Sequence, residues 1–216
     1  MNLRHFLKTV NAIFLFCFFT FDSTAQVYSN KESSTFSFTL GMTSSNLIKD
    51  SIKYKTAILF TGGFIYTVVL TEKVNVGLEL LYTGKSFKDA DKIIKYRYYY
   101  IDVPFYLQFK LSESVRLNLG AQYSSFTNSK IIVIDPDGKA GVNSKPYNNI
   151  KPSDIGILGG IEINLNKNVS AAARYTLSAS TFFEEKNTNF GVFQFSLNYA
   201  VYRTHKQFLN RHKENE

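Results

Sequence analysis

The chain has 216 residues, a formal net charge of +8 and one cysteine. One domain suffices for that length, and a single cysteine leaves no internal disulfide. A basic balance suits anionic lipid headgroups or an acidic partner, and an exported chain meets these before nucleic acid.

Export is the first expectation. Arg4 and Lys8 precede an apolar run from Ala12 to Phe21, and Ser23 and Ala25 follow as small residues before a cleavage point. A basic head, a short apolar core and a small-x-small exit describe a secretory signal peptide over residues 1–25. The uncharged stretch falls short of the roughly 20 residues a membrane helix needs. Cys17 lies inside it, so the remaining chain has no thiol for metal ligation or nucleophilic catalysis.

Period two then recurs along the chain. Phe36, Phe38, Leu40 and Met42 alternate with Ser37, Thr39 and Gly41, and Ile58, Phe60, Phe64, Tyr66 and Val68 with Thr61, Gly63 and Thr67. Val74 to Tyr82 alternate with Asn75, Gly77, Glu79 and Thr83, and Ile101 to Leu111 with Asp102, Pro104, Tyr106, Gln108 and Lys110. Val115 to Tyr123, Ile155 to Leu165, Val169 to Leu177 and Phe193 to Val201 repeat the pattern. Such alternation is the mark of strands with one apolar and one polar face. Eight strands of about ten residues are expected, with almost no helical periodicity.

The connections also alternate. LTEKVNV, LSESVRL and NLNKNVS read as tight turns, whereas residues 44–56, 84–97, 125–151 and 180–188 read as longer loops. Short turns on one side and long loops on the other are the layout of an outer-membrane barrel, turns periplasmic and loops extracellular. The apolar face is nearly free of charge and rich in aromatics, with Tyr82, Tyr123, Tyr175, Tyr199 and Tyr202 near strand ends as an interfacial girdle would require. The polar face carries Gly, Ser, Thr, Asn and Gln. A soluble lipocalin-like barrel would show the same alternation with the apolar face inside, and alternation alone does not separate the two. The remaining features favour an all-β, eight-stranded, antiparallel up-and-down transmembrane β-barrel in the cell outer membrane. The expected division is a signal peptide (1–25), a short periplasmic segment (26–34), the barrel (35–202) and a basic periplasmic tail (203–216).

Two segments carry a family resemblance. Tyr99-Tyr100-Ile101-Asp102-Val103-Pro104, followed by Phe105 to Lys110, resembles a tyrosine, acid and proline-bearing strand of PorT-like outer-membrane β-barrel proteins from Bacteroidetes-type Gram-negative bacteria. Ser153 to Gly160 resembles that family's glycine-rich later strand, and Arg174-Tyr175 its next one. The resemblance spans most of residues 30–202 and implies a barrel. The namesake's work in a protein-secretion and gliding apparatus implies an accessory role. The basic tail departs from the pattern.

Few residues offer chemistry. His5 falls in the signal peptide, and His205 and His212 fall in the tail, so no strand or extracellular loop carries the histidine of a Ser-His pair or of a metal site. Neither an enzyme nor a bound cofactor or metal is expected. Glu79, Asp102, Lys110, Arg116, Asp154, Glu162 and Arg174 share the polar parity of their strands. In a lumen only wide enough for side chains they would form a structural ion-pair network, since isolated charges there are costly. Pro104, without an N–H, suggests a bulge. Asp135-Pro136-Asp137-Gly138 reads as a turn between two extended arms prolonging strands five and six beyond the membrane. The expected function is a non-enzymatic accessory or scaffold protein in contact with outer-membrane lipid. Envelope or secretion proteins would dock on its loops or tail, and no nucleic acid is involved. The alternative is a narrow channel or small-molecule-binding barrel.

Overall fold

The structure is a computed structural model that describes residues 32–48, 54–89, 94–134, 140–143, 152–179 and 189–205. The expected signal peptide, the Asp135–Gly138 turn and the tail from Lys206 onward lie outside the described residues. Nine strands are present: β1 (Glu32–Ile48), β2 (Tyr54–Val69), β3 (Val74–Asp89), β4 (Ile94–Lys110), β5 (Val115–Ile134), β6 (Ala140–Asn143), β7 (Ser153–Asn164), β8 (Val169–Ser178) and β9 (Asn189–His205). Eight form a closed antiparallel ring in the order β1-β2-β3-β4-β5-β7-β8-β9, and β9 pairs back on β1 from Glu32↔His205 to Ile48↔Asn189. The short β6 pairs with Ile131–Ile134 of β5 alone among the described strands.

Burial decides which face looks inward. Leu40 and Phe60 are each 70% exposed, and Ile157, Phe105, Phe195 and Leu197 are exposed as well. Their alternates Thr39, Thr61, Asn75, Glu79, Gln108, Arg174 and Gln194 are buried. A lipocalin-like barrel requires the reverse arrangement. An apolar outer band over a polar, filled lumen is the solution for a barrel whose solvent is lipid. Tyr82, Tyr175, Tyr199 and Tyr202 stand outward and exposed, while Tyr123 is half-buried.

Three connections share one construction. In Leu70–Val74 the hydroxyl of Thr71 accepts from the amides of Lys73 (3.3 Å) and Val74 (3.0 Å), and the amides of Leu70 and Thr71 donate to the Val74 carbonyl. Ser112 and Asn166 do the same in Leu111–Val115 and Leu165–Val169. A short polar side chain that mimics a backbone acceptor closes each turn. This is the turn end of the barrel.

The opposite, loop end differs from expectation. The sequence of residues 44–56 and 84–97 reads as loop, yet β1 continues to Ile48, β2 begins at Tyr54, β3 reaches Asp89 and β4 begins at Ile94. β5 runs on to Ile134, and its hairpin partner is the separate strand β6 rather than an extension of β7. A strand of 17 residues at about 3.3 Å per residue and ~40° tilt rises about 43 Å, against an apolar band of about 25 Å. The excess stands clear of lipid, where no apolar solvent selects one face: β5 there reads Lys130-Ile131-Ile132-Val133-Ile134, without alternation, although the hydrogen-bond ladder continues. At the turn end, Glu32–Ser34 join β1 and Arg203–His205 join β9, residues expected outside the barrel.

Pro104 introduces no bulge. The register against β3 is the same on both sides of it, Leu78↔Phe105 and Leu81↔Asp102, and only the pairs between lapse where an N–H is missing. Irregularities fall elsewhere. Thr127 is the extra residue of β5 opposite the Tyr99–Tyr100 step, and Val201 is the extra residue of β9. The β2–β3 ladder also opens between Thr56↔Phe87 and Thr61↔Thr83.

Candidate functional site

The lumen is the candidate site, and it is built in layers from inward-facing positions. Nearest the turn end, Glu162 of β7 gathers partners from three other strands. Gln108 Nε2 donates to its Oε2 (3.0 Å), Ser170 Oγ to its Oε1 (2.7 Å), and the Arg116 guanidinium lies 3.3 Å from Oε1. Asn75 Nδ2 donates to Gln108 Oε1 (2.9 Å), and Asn198 Nδ2 to Ser170 Oγ (3.3 Å). The chain of bonds therefore ties β3, β4, β5, β7, β8 and β9 across the lumen.

The middle layer is a bidentate-capable guanidinium held by one carboxylate: Arg174 NH2 donates to Glu79 Oε2 at 2.7 Å, with both side chains buried. Tyr106 fills the space beside them. Its ring lies where any side chain on Gly77 would stand, and its own Cα and Cβ crowd Gly120 on the other flank. Those two glycines are the cross-strand neighbours of Tyr106 on β3 and β5, so the pair forms a slot for the ring.

Above this, Lys85 Nζ lies 3.9 Å from Asp102 Oδ1, 3.3 Å from Ser124 Oγ and 4.2 Å from the centre of the Tyr100 ring. Asp102 Oδ1 is buried and accepts no hydrogen bond among the described residues. Asp154 Oδ1 accepts from Ser178 Oγ at 2.6 Å. The loop end is then closed by a buried cluster of Phe87, Tyr98, Tyr100, Phe190 and Val192, with Tyr96 and Phe126 packed against it. Phe87 stacks on Tyr98 at 5.7 Å and on Tyr96 at 5.1 Å.

Of the seven residues singled out by parity, Glu79 and Arg174 meet, Glu162 and Arg116 meet, and Asp102 meets a residue that parity had not supplied. That residue is Lys85, 2% exposed. It continues the inward series Glu79, Leu81, Thr83 of β3, and extending the alternation two residues past Thr83 would have found it. Lys110 is half-buried at the turn end, opposite Arg116 in the register. Among the described residues three ion pairs stand at successive heights.

Hydroxyls repair the open β2–β3 ladder. Ser45 Oγ of β1 donates to the Ser86 carbonyl (3.1 Å) and accepts from the Ser86 amide (2.8 Å), and Thr43 Oγ1 donates to the Gly84 carbonyl. Backbone groups that lost their neighbour in β2 are thus satisfied by side chains from the strand beyond it.

A closed ring, an apolar exterior and a polar packed interior agree with the family comparison. Residues 24–184 match the model of the outer membrane protein beta-barrel domain. The chain belongs to that family. It is an outer-membrane protein, and its exterior contacts membrane lipid. The fold is similar to that of the attachment invasion locus protein Ail of Yersinia pestis, with 19% identity over 79% of this chain and all of that one, and a TM-score of 0.50. Neisserial surface protein A is similar at 15% identity, 79% and 100% coverage and a TM-score of 0.50. Curated protein sequences yield no match.

Proposed function

We propose that this barrel is sealed to solutes, is not an enzyme, and works as an accessory protein that binds envelope partners with its loop end facing outward. The observation that carries this reading is the filled lumen: three ion pairs at successive heights, two of them buried, Tyr106 wedged between Gly77 and Gly120, and an aromatic cluster over the loop end. Moving an ion through it would require breaking pairs whose separation strands charge in a low-dielectric interior. Function then falls to the surfaces that emerge from the membrane. The extended β3–β4 and β5–β6 arms supply one, and the basic tail supplies a second docking segment. The PorT-like resemblance of Tyr99–Lys110 supports an accessory role in secretion, with residues 1–25 as the cleaved export signal.

Planar-bilayer recording and a gentle-detergent pull-down test the two halves. The wild type is expected to give no steady conductance and to co-purify with envelope proteins that are lost when residues 206–216 or the 130–143 arm are deleted. Large, steady wild-type currents would replace the accessory reading with the narrow channel. Partners retained by both deletions would remove the arm and tail as docking sites.

A further inference from the structure

On the outer face of the loop end, two basic side chains stand directly opposite one another. Arg97 of β4 pairs with Lys130 of β5, and Lys95 follows on the same face of β4. Like charges in direct cross-strand register destabilise a sheet unless an anion lies between them. Among the described residues neither Arg97 nor Lys130 has an acidic partner; the ion pairs there belong to Lys85, Arg116 and Arg174. Arg97 Nε is moreover buried without a hydrogen-bond acceptor, while Lys130 is exposed. On these strands Glu79 and Asp102 point into the lumen, and Asp89, the last residue of β3, pairs with Tyr54 of β2.

Height makes the pair specific. Counting from Phe109 at the turn end, at about 3.3 Å per residue and ~40° tilt, Tyr99 stands about 25 Å up and Arg97 about 30 Å up. The apolar band is about 25 Å tall. Below Tyr99 the outward residues of β4 are Ile101, Val103, Phe105, Leu107 and Phe109, and Tyr99 itself stacks on Tyr82 at 5.7 Å with the rings 8° apart. Up the outer face of β4 the order is aliphatic, aromatic, then basic. That is the order of a bilayer's own layers: hydrocarbon, interface, charged headgroup.

We infer that Arg97 and Lys130, with Lys95 beside them, form a binding site for a phosphate group on the headgroup of an anionic membrane lipid in the leaflet around the loop end. The half-buried guanidinium offers its terminal N–H groups to a phosphate oxygen, and the ammonium supplies the second charge. The tyrosine pair would lie against the upper part of that lipid's acyl region. This site lies on the outer wall, so it stands or falls independently of whether the lumen conducts.

The test uses full-length protein refolded into detergent and into phosphatidylcholine nanodiscs, with lipid A as the bisphosphorylated probe. Native mass spectrometry should show bound lipid A, and R97Q/K130Q should weaken its association about 30-fold, equivalent to about 2 kcal/mol at about 1 kcal/mol per basic residue. K73Q, which removes a charge at the turn end, should leave it unchanged. In phosphatidylcholine nanodiscs, lipid A should raise the wild-type unfolding temperature and inorganic phosphate should not. Equal binding by wild type and R97Q/K130Q would overturn the site. Equal loss in K73Q would reduce it to net charge, and an equal shift with inorganic phosphate would make the ligand a soluble anion. If the double variant does not fold, K130Q alone, altered at an exposed side chain, must weaken binding several-fold; unchanged binding would again overturn the site.

Discussion

The two ends of this barrel solve the same problem differently. At the turn end β2–β3, β4–β5 and β7–β8 join through three turns of one construction, with a single Thr, Ser or Asn oxygen each, and β1 and β9 pair on to Glu32 and His205. Inside, Glu162 holds side chains from several strands by short polar bonds. At the loop end the strands overrun the band and the ladders are irregular at Thr127 and between Thr56 and Thr61. There the interior changes from polar pairs to stacked rings. A regular ladder with a polar hub fixes register. The overrunning, irregular rim is held by ring packing instead.

The largest effect should come from the middle layer. Arg174→Met leaves the Glu79 carboxylate buried without its cation, which costs roughly 3–5 kcal/mol. Urea unfolding followed by the heat-modifiable folded band should show that loss. Pairing it with Glu79→Leu should restore most of it, because both charges are then gone. A single variant as stable as the wild type would mean that the pair contributes nothing to closure.

Lys85→Met probes the step where polar lumen meets aromatic cap. Asp102 would lose its cation, but one of its oxygens already accepts no bond, and the pair is long at 3.9 Å. A smaller loss of about 1–3 kcal/mol is expected, with the barrel still inserted. If Lys85→Met destabilises more than Arg174→Met in the same urea series, the loop end and not the middle layer dominates closure.

The smallest effect belongs to the turns. Replacing Thr-Glu-Lys at 71–73 by the Ser-Glu-Ser of 112–114 keeps the accepting hydroxyl, and the unfolding midpoint should move by no more than about 0.5 kcal/mol. Ser112→Ala removes that acceptor and should cost about 0.5–1.5 kcal/mol. A swap as costly as the deletion would show that the turns are individually tuned and that their likeness is superficial.

The sequence by itself determined the strands that cross the apolar band, their parity and the turns. Lipid on one side and a filled lumen on the other force strict alternation, and a four-residue reversal needs a particular side-chain oxygen. Parity also placed Glu79, Asp102, Glu162, Arg116 and Arg174 inward. Only the tertiary structure decided which of them meet, because partners come from strands far apart in sequence: Arg174 of β8 finds Glu79 of β3, and Asp102 finds Lys85. It also decided which face is inside, since period two is the same for a lipid-facing and a solvent-facing barrel. The overrun to Ile48, Asp89 and Ile134 was hidden for a related reason. Above the band no apolar solvent selects one face, so the chain can hydrogen-bond as strand without writing that strand into its hydrophobic pattern.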